Sequence, residues 1–238
     1  MQDFLLDEFN IEASIMTVYR ILQQNNWSCK KVSRRAAERT ESLRSVWIGR
    51  LVTWEAHMLV FVDESGAHER TGDRKYGWSL RGLASIEHSS IKRSERWSIL
   101  PALTLDGWID CLIFQGSITA QIFVDWLEQK VLPQCNPYPG PCSVLIMDNA
   151  SIHKTTKVQE LCNAAGVQRE DLPPYCPEFN PIEATFGDLK AWIKKNYRLA
   201  ELFHDFGAFL IYATEQAGGI NAIQHFKKAT YIVNNNVI

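Results

Sequence analysis

Residues 144–154 read Val-Leu-Ile-Met-Asp-Asn-Ala-Ser-Ile-His-Lys, four consecutive apolar residues that close on Asp148. An unbroken apolar run of this length, stopped by a turn-forming residue, is the pattern of a strand buried on both faces. Upstream, Met58-Leu59-Val60-Phe61-Val62 repeats the pattern and ends on Asp63. Carboxylates at the ends of neighbouring strands of one sheet can converge on a common point, so the two runs predict an α/β domain with an acidic site at the strand ends.

The rest of the chain fits around these two strands. Residues 96–105 (RWSILPALTL) and 107–116 (GWIDCLIFQG) are strand-like, with Gly and Asp at the breaks, and with the first run they imply three or four antiparallel strands. Ile118–Val131 places Ile122, Trp126 and Leu127 as a helix does and is ended by Pro133. Further expectations are a helix near Thr155–Ala165, a short strand near Val167, a Pro-rich loop over Leu172–Pro177, a helix from Pro181, and one or two helices in the tail from Leu199. Before the first strand, Phe4, Leu5, Leu6 and Phe9 form one short amphipathic run. A second, capped by Ser14, places Ile15, Val18, Ile21 and Leu22 at helical spacing, with Met16, Thr17, Tyr19 and Arg20 on its other face. This pair reads either as part of a helix-turn-helix presenting Tyr19 and Arg20 to DNA or as a plain helical hairpin. A basic stretch follows, then a helix over Arg44–His57 with Leu43, Trp47, Leu51 and Trp54 on one stripe. The organisation expected is a partial helix-turn-helix at 1–27, a basic linker and helix at 28–57, and the main domain at 58–238.

Composition sets the outer limits. The 238 residues are 46% hydrophobic, 11% aromatic and 22% charged, enough to bury a sizeable core and too apolar for disorder to dominate. The longest apolar runs fall far short of the roughly 20 residues that span a bilayer, and the first ten residues carry acids where a secretory signal carries bases, so the expectation is a soluble, unsecreted protein with no membrane partner. Six cysteines without a C-x-x-C pair or zinc-finger spacing suggest reduced, mostly buried thiols. The net charge of −2 argues against a protein that mainly coats nucleic acid, but it conceals a polarity. Residues 30–50 hold seven bases against two acids and residues 70–96 seven against three, whereas residues from 101 onward hold ten against fourteen. A locally basic front half suits a phosphate backbone.

A third acid joins the two aspartates. Glu183 lies in Leu-Pro-Pro-Tyr-Cys-Pro-Glu-Phe-Asn-Pro-Ile-Glu, residues 172–183, just inside a helix delivered by a proline-locked loop. Three carboxylates at close range raise one another's pKa unless a cation compensates, and hard divalent ions with oxygen ligands are the natural cation. Two such ions serve in-line phosphoryl displacement, the chemistry of nucleases and strand transfer. Each acid also has a plainer explanation. Asp63 and Asp148 fit strand ends satisfied by backbone N–H groups, and Asn180, Pro181 and Glu183 spell a helix N-terminal capping box.

The ordered blocks FVDESG, GWSLRG, LIMDNASIHK and LPPYCPEFNPIE, with thirty-four residues between Asp148 and Glu183, resemble the catalytic domain of Tc/mariner-superfamily transposases, the DDE-superfamily endonucleases. The resemblance covers about Met58 to Asn196 and, more weakly, the segment before it. It implies a ribonuclease-H-like mixed sheet flanked by helices, two Mg2+ or Mn2+ ions per site, and cut-and-paste DNA transposition by a homodimer acting on transposon ends and target DNA. Asp63, Asp148 and Glu183 match the catalytic, metal-binding triad; Glu64, Asn149, His153 and Asn180 fall beside it, where supporting or DNA-contacting roles are expected. Against the superfamily pattern of two N-terminal helix-turn-helix units the chain is shortened at its N-terminus. The location implied is the nucleus in a eukaryote and the cytoplasm otherwise.

Candidate DNA contacts are basic residues in favourable settings. In the helix after Glu183, Ile182, Phe186, Leu189 and Ile193 form one face, while Glu183, Gly187, Lys190 and Lys194 share the next and would admit a DNA backbone. Arg74, Lys75 and Arg81 sit among glycines with Trp78 in what reads as a hairpin, and Lys30, Lys31, Arg34 and Arg35 line the linker. Solvated basic faces and solubilising turns account for these residues equally well. A catalytically silent DNA-binding or assembly module and a nuclease acting on RNA–DNA hybrids are the alternative functions.

Overall fold

The computed structural model describes residues 2–29, 40–73, 76–86, 95–150, 153 and 155–231. The chain divides into two compact units, Met1–Ala37 and Glu38–Ile238. In the first, α1 (Gln2–Phe9) and α2 (Ile15–Gln24) form as their periodicity predicts. Ser14 caps α2, its Oγ accepting from the Thr17 N–H at 3.1 Å. Neither helix buries a residue.

In the second unit six strands form one mixed sheet: β1 (Leu59–Val62), β2 (Ser65–Ala67), β3 (Trp97–Thr104), β4 (Gly107–Gln115), β5 (Val144–Met147) and β6 (Gln168–Asp171). β5 pairs in parallel with both β1 and β6, and β3 pairs antiparallel with β1, β2 and β4. The antiparallel set expected from the sequence is thus β1 to β4, four of the six strands, and β5 and β6 extend it in parallel. β1 and β2 lie along the same edge of β3 in one register: Val62 faces Ala102, and after a gap of two residues Ser65 faces Ile99. The gap is Asp63-Glu64. Continued through it, the register would set Asp63 opposite Pro101, which has no N–H to give to the ladder.

The buried strands sort their side chains by the period of two. Leu59, Phe61, Val144 and Ile146 enter the core shared with α6 (Ile182–Asn196), α7 (Phe206–Ala217) and α8 (Ala222–Lys228). Val60, Val62, Leu145 and Met147 enter a second core, on the side of α4 (Ala120–Trp126) and α5 (Thr156–Ala164). α4 does not run on regularly to Pro133, as its pattern suggested; it loosens into one π-turn over Leu127–Val131 and a 3-10 turn at Leu132–Gln134. The helix expected over Arg44–His57 is α3 (Glu41–Leu51), shorter because the chain turns at Val52-Thr53. Trp54 still meets Trp47, ring centroids 5.5 Å apart, but by that turn and not by helical spacing. Both tryptophans are buried in the core under α6, so α3 packs as part of the second unit. Leu43 stays exposed. Among the described residues no helix is long and apolar enough to cross a membrane. None of the six cysteines is in a disulfide; Cys162 and Cys176 are buried and Cys29 is exposed.

Candidate active site

Asp63 and Asp148 follow directly on the last paired residues of two adjacent parallel strands, Val62 and Met147, which face each other in the register. Parallel neighbours lie about 4.8 Å apart, and alternation carries both acids toward the face that α6 covers. α6 is held there by Ile182, Phe186, Leu189 and Ile193, all buried, each worth about 1.5–3 kcal/mol of apolar transfer. That seat fixes its first turn, and with it Glu183, at the open end of the strands. Trp108 adds a polar pin: its indole N–H donates to Thr185 Oγ1 at 3.2 Å, two residues beyond Glu183.

Asn180 does not cap α6. The helix has no side-chain cap, and the Asn180 amide instead donates to Asp63 Oδ2 at 2.8 Å. Only the backbone carbonyl of Asn180 serves the helix, accepting the Glu183 N–H at 3.4 Å. The capping-box reading of Asn180 and Glu183 is thus set aside by the geometry. Asn180 is buried, and its Oδ1 has no hydrogen-bond partner among the described residues. The other oxygen of Asp63 accepts the Glu64 N–H at 2.7 Å. Burial, reinforced by the negative charges of Asp148 and Glu183, raises the Asp63 carboxyl to about 7, against smaller opposing contributions from the Glu64 N–H and His153.

Asp148 is half-buried. Its Oδ1 accepts the Ala150 N–H at 2.9 Å and lies 2.8 Å from His153 Nδ1. His153 is almost fully buried, its ring 4.5 Å from that of Phe123, so it meets Asp148 from the core side and not from a loop in solvent. Asn149 donates through its amide to the Leu172 carbonyl, tying the turn after β5 to the start of the Pro-rich loop. Glu64 points to β3: Ser98 Oγ is 2.9 Å and Arg96 Nη2 3.9 Å from Glu64 Oε1.

Glu183 is exposed on the first turn of α6. It stands near enough to raise Asp63, yet among the described residues no three His, Cys, Asp or Glu side chains form a closed ligand set. The donor chemistry suits a hard cation all the same. Two carboxylates are neighbours, a third is close, and the charge crowding that lifts Asp63 is what a divalent ion would relieve.

The candidate DNA contacts divide. Lys190 is half-buried and donates to Ser65 Oγ at 2.8 Å, which ties α6 to β2; Lys194 is exposed one turn on. Tyr19 and Arg20 are exposed on α2, where Tyr19 Oη accepts from Gln23 Nε2. Arg81 is exposed in a turn closed by the Leu83 N–H on the Leu80 carbonyl. The hairpin expected around it has no strands in the described residues 76–86, where Trp78 is wholly exposed. Lys30, Lys31, Arg34, Arg35, Arg74 and Lys75 lie outside the described residues. The sequence reading did not single out Ser65, Ser98 or Thr185, buried hydroxyls beside the acids; a polar residue inside an otherwise apolar strand, as at Ser98, was the available signal.

A mixed sheet with helices on both faces and acids at the ends of its central parallel strands defines a nuclease-type α/β domain. Residues 58–203 match the DDE superfamily endonuclease family, and the chain belongs to it. Among solved structures the chain is similar to the Mos1 transposase paired-end complex with left transposon end, at 15% identity and a TM-score of 0.66. It is similar too to the Mos1 mariner paired end complexes with Mn and with Mg, at 14% identity and TM-scores of 0.64 and 0.62. Each similarity covers 96% of this chain and 73% of the other. No curated protein matches the sequence. The ribonuclease-H-like fold and the DDE-superfamily endonuclease domain expected from the sequence are borne out.

Proposed function

We propose that this chain is a transposase-type, metal-dependent DNA endonuclease and strand transferase, with Asp63, Asp148 and Glu183 as its catalytic carboxylates. The observation that carries the reading is the register pairing of β1 with β5, which brings Asp63 and Asp148 out side by side on the face of the helix that bears Glu183. Mg2+ or Mn2+ held by these acids would supply a polarised nucleophile and charge neutralisation at the phosphodiester. The chain's own residues do the rest. Asn180 and the Glu64 N–H orient the two oxygens of Asp63, the Ala150 N–H and His153 orient Asp148, and the exposed Lys194 is proposed to meet a DNA phosphate.

The reaction proposed is hydrolysis of a phosphodiester at an element end, followed by attack of the freed 3′ hydroxyl on a target phosphodiester, which releases one target 3′ hydroxyl for each bond made. Double-stranded DNA is the substrate. Joining two ends needs two sites, which supports a homodimer, and the nucleus is the proposed location in a eukaryotic host. Mos1 transposase, a structural relative, is described in a paired-end complex with a transposon end and in paired end complexes with Mn and with Mg.

A silent DNA-binding module is the second reading, favoured by the exposed position of Glu183 on the first turn of α6. Purified chain incubated with a nicked or pre-cleaved duplex and Mn2+ separates the two. Cleavage that disappears in Asp148→Ala supports the enzyme, whereas salt-sensitive binding of the duplex without cleavage supports the module.

A further inference from the structure

The Pro-rich loop presents Asn180 to Asp63, and its own position is fixed by a residue far away in sequence. Phe179, next to Asn180, is almost fully buried. The guanidinium of Arg44, on α3, lies over its ring at 5.2 Å from the centroid. Its carbonyl accepts the Tyr231 hydroxyl at 2.9 Å, and its N–H donates to the Cys176 carbonyl at 3.1 Å within the 3-10 turn Pro177–Phe179. Ring, carbonyl and N–H are therefore each held by a different element. From this anchored residue one peptide unit leads to Asn180, whose amide reaches Asp63 Oδ2.

We infer that Arg44 is a positioning residue for Asp63, acting through its stack on Phe179 and the amide of Asn180. This rests on the proposed metal-dependent reading of the acids. A planar guanidinium over a buried aromatic face is attracted by the ring quadrupole and restrains both the tilt and the translation of the ring. Any tilt of Phe179 displaces the Asn180 amide, whose buried Oδ1 has no hydrogen-bond partner among the described residues. Arg44 also makes an ion pair with Glu178, Nε to Oε1 at 3.5 Å. Glu178 lies in the same 3-10 turn as Phe179, and the inference assigns the effect to the stack and not to the pair.

The test uses the full chain and reads Mn2+ binding by electron paramagnetic resonance, alongside DNA affinity in EDTA, thermal midpoint, and cleavage as a function of Mn2+. Arg44→Ala is expected to weaken Mn2+ binding about tenfold, the lower end of what supporting residues of metal sites contribute. DNA affinity in EDTA should hold within about twofold, and Arg44→Lys, which keeps a cation over the ring, should recover part of the loss. Glu178→Gln should leave Mn2+ affinity unchanged. In Asn180→Ala, adding Arg44→Ala should have no further effect, because the path is already cut.

Should Arg44→Ala fail to fold, Arg44→Gln carries the same expectations. Equal Mn2+ affinity in wild type and the Arg44 variants overturns the inference alone. So does an equal loss in Glu178→Gln, a full additional loss on the Asn180→Ala background, or a loss confined to DNA affinity in EDTA. A wild-type chain that binds no Mn2+ overturns the metal-dependent reading, and the inference with it.

Discussion

Asn180 Nδ2 donates to Asp63 Oδ2 at 2.8 Å across 117 positions of sequence, making a residue of the Pro-rich loop part of the setting of the first strand-end acid. Loss of such a supporting partner typically lowers metal affinity or activity about 10–100-fold. Asn180→Ala is therefore expected to lower Mn2+ affinity within that range while α6, which Asn180 does not cap, keeps its helicity by circular dichroism. A loss of helicity without a change in Mn2+ affinity would return Asn180 to the role of a cap.

Asp148→Asn keeps the shape of the side chain and removes its charge. Cleavage of a nicked duplex should fall by about 10²–10³-fold, the cost of losing one preorganised electrostatic partner of the transition state. Binding of the same duplex, measured by anisotropy in EDTA, should be undiminished. An Asp148→Asn protein that cleaves at the wild-type rate would remove Asp148 from the reaction.

The raised carboxyl of Asp63 makes a signed prediction for the metal-free protein. Its folded pKa, about 7, lies above the ordinary 3.8, so the folded chain holds a proton that the unfolded chain releases between those values. The stabilising contribution is complete below about 3.8 and is lost as pH rises through 7. In EDTA, Asp63→Asn should consequently melt higher than wild type at pH 8, and the difference should shrink toward pH 5. A wild-type advantage at pH 8 would show that Asp63 is not crowded by its neighbours.

Gly207 opens α7 against the indole of Trp97, and a Cβ built there would lie 2.3 Å from the ring. Gly207→Ala should destabilise the chain by about 1–3 kcal/mol, the usual cost of overpacking a core contact, read from urea unfolding. Gly187, on the exposed face of α6 with nothing within 4 Å, is the control: Gly187→Ala should stabilise by about 0.5–1 kcal/mol through helix propensity.

What could be read from the sequence was whatever a single element announces by itself. β1 and β5 declare themselves as apolar runs with an acid at the end, the Ser14 cap and the buried face of α6 follow from local spacing, and so the two aspartates and Glu183 were found. Contacts that depend on two distant segments were not legible. Asn180 satisfied every local rule for a cap, and only the approach of the Pro-rich loop to β1 redirected its amide. β2 is three residues long and has no pattern of its own; it exists because β3 continues past the gap and offers it a partner. The turn-rich block around Arg81 had the glycines of a hairpin but lacks paired strands among the described residues, since turn residues permit a hairpin without supplying the flanking ladder.

The unpaired Asp63-Glu64 step between β1 and β2 also constrains how genes of this kind can drift. Letters there can change at the expense of chemistry alone, but inserting or deleting a single codon would flip every downstream side chain of β2 to the opposite face, or break its match to β3. Lineages should therefore accumulate point replacements at this step long before they accumulate frame-preserving length variants, and a length change there would mark a copy whose fold has already been abandoned.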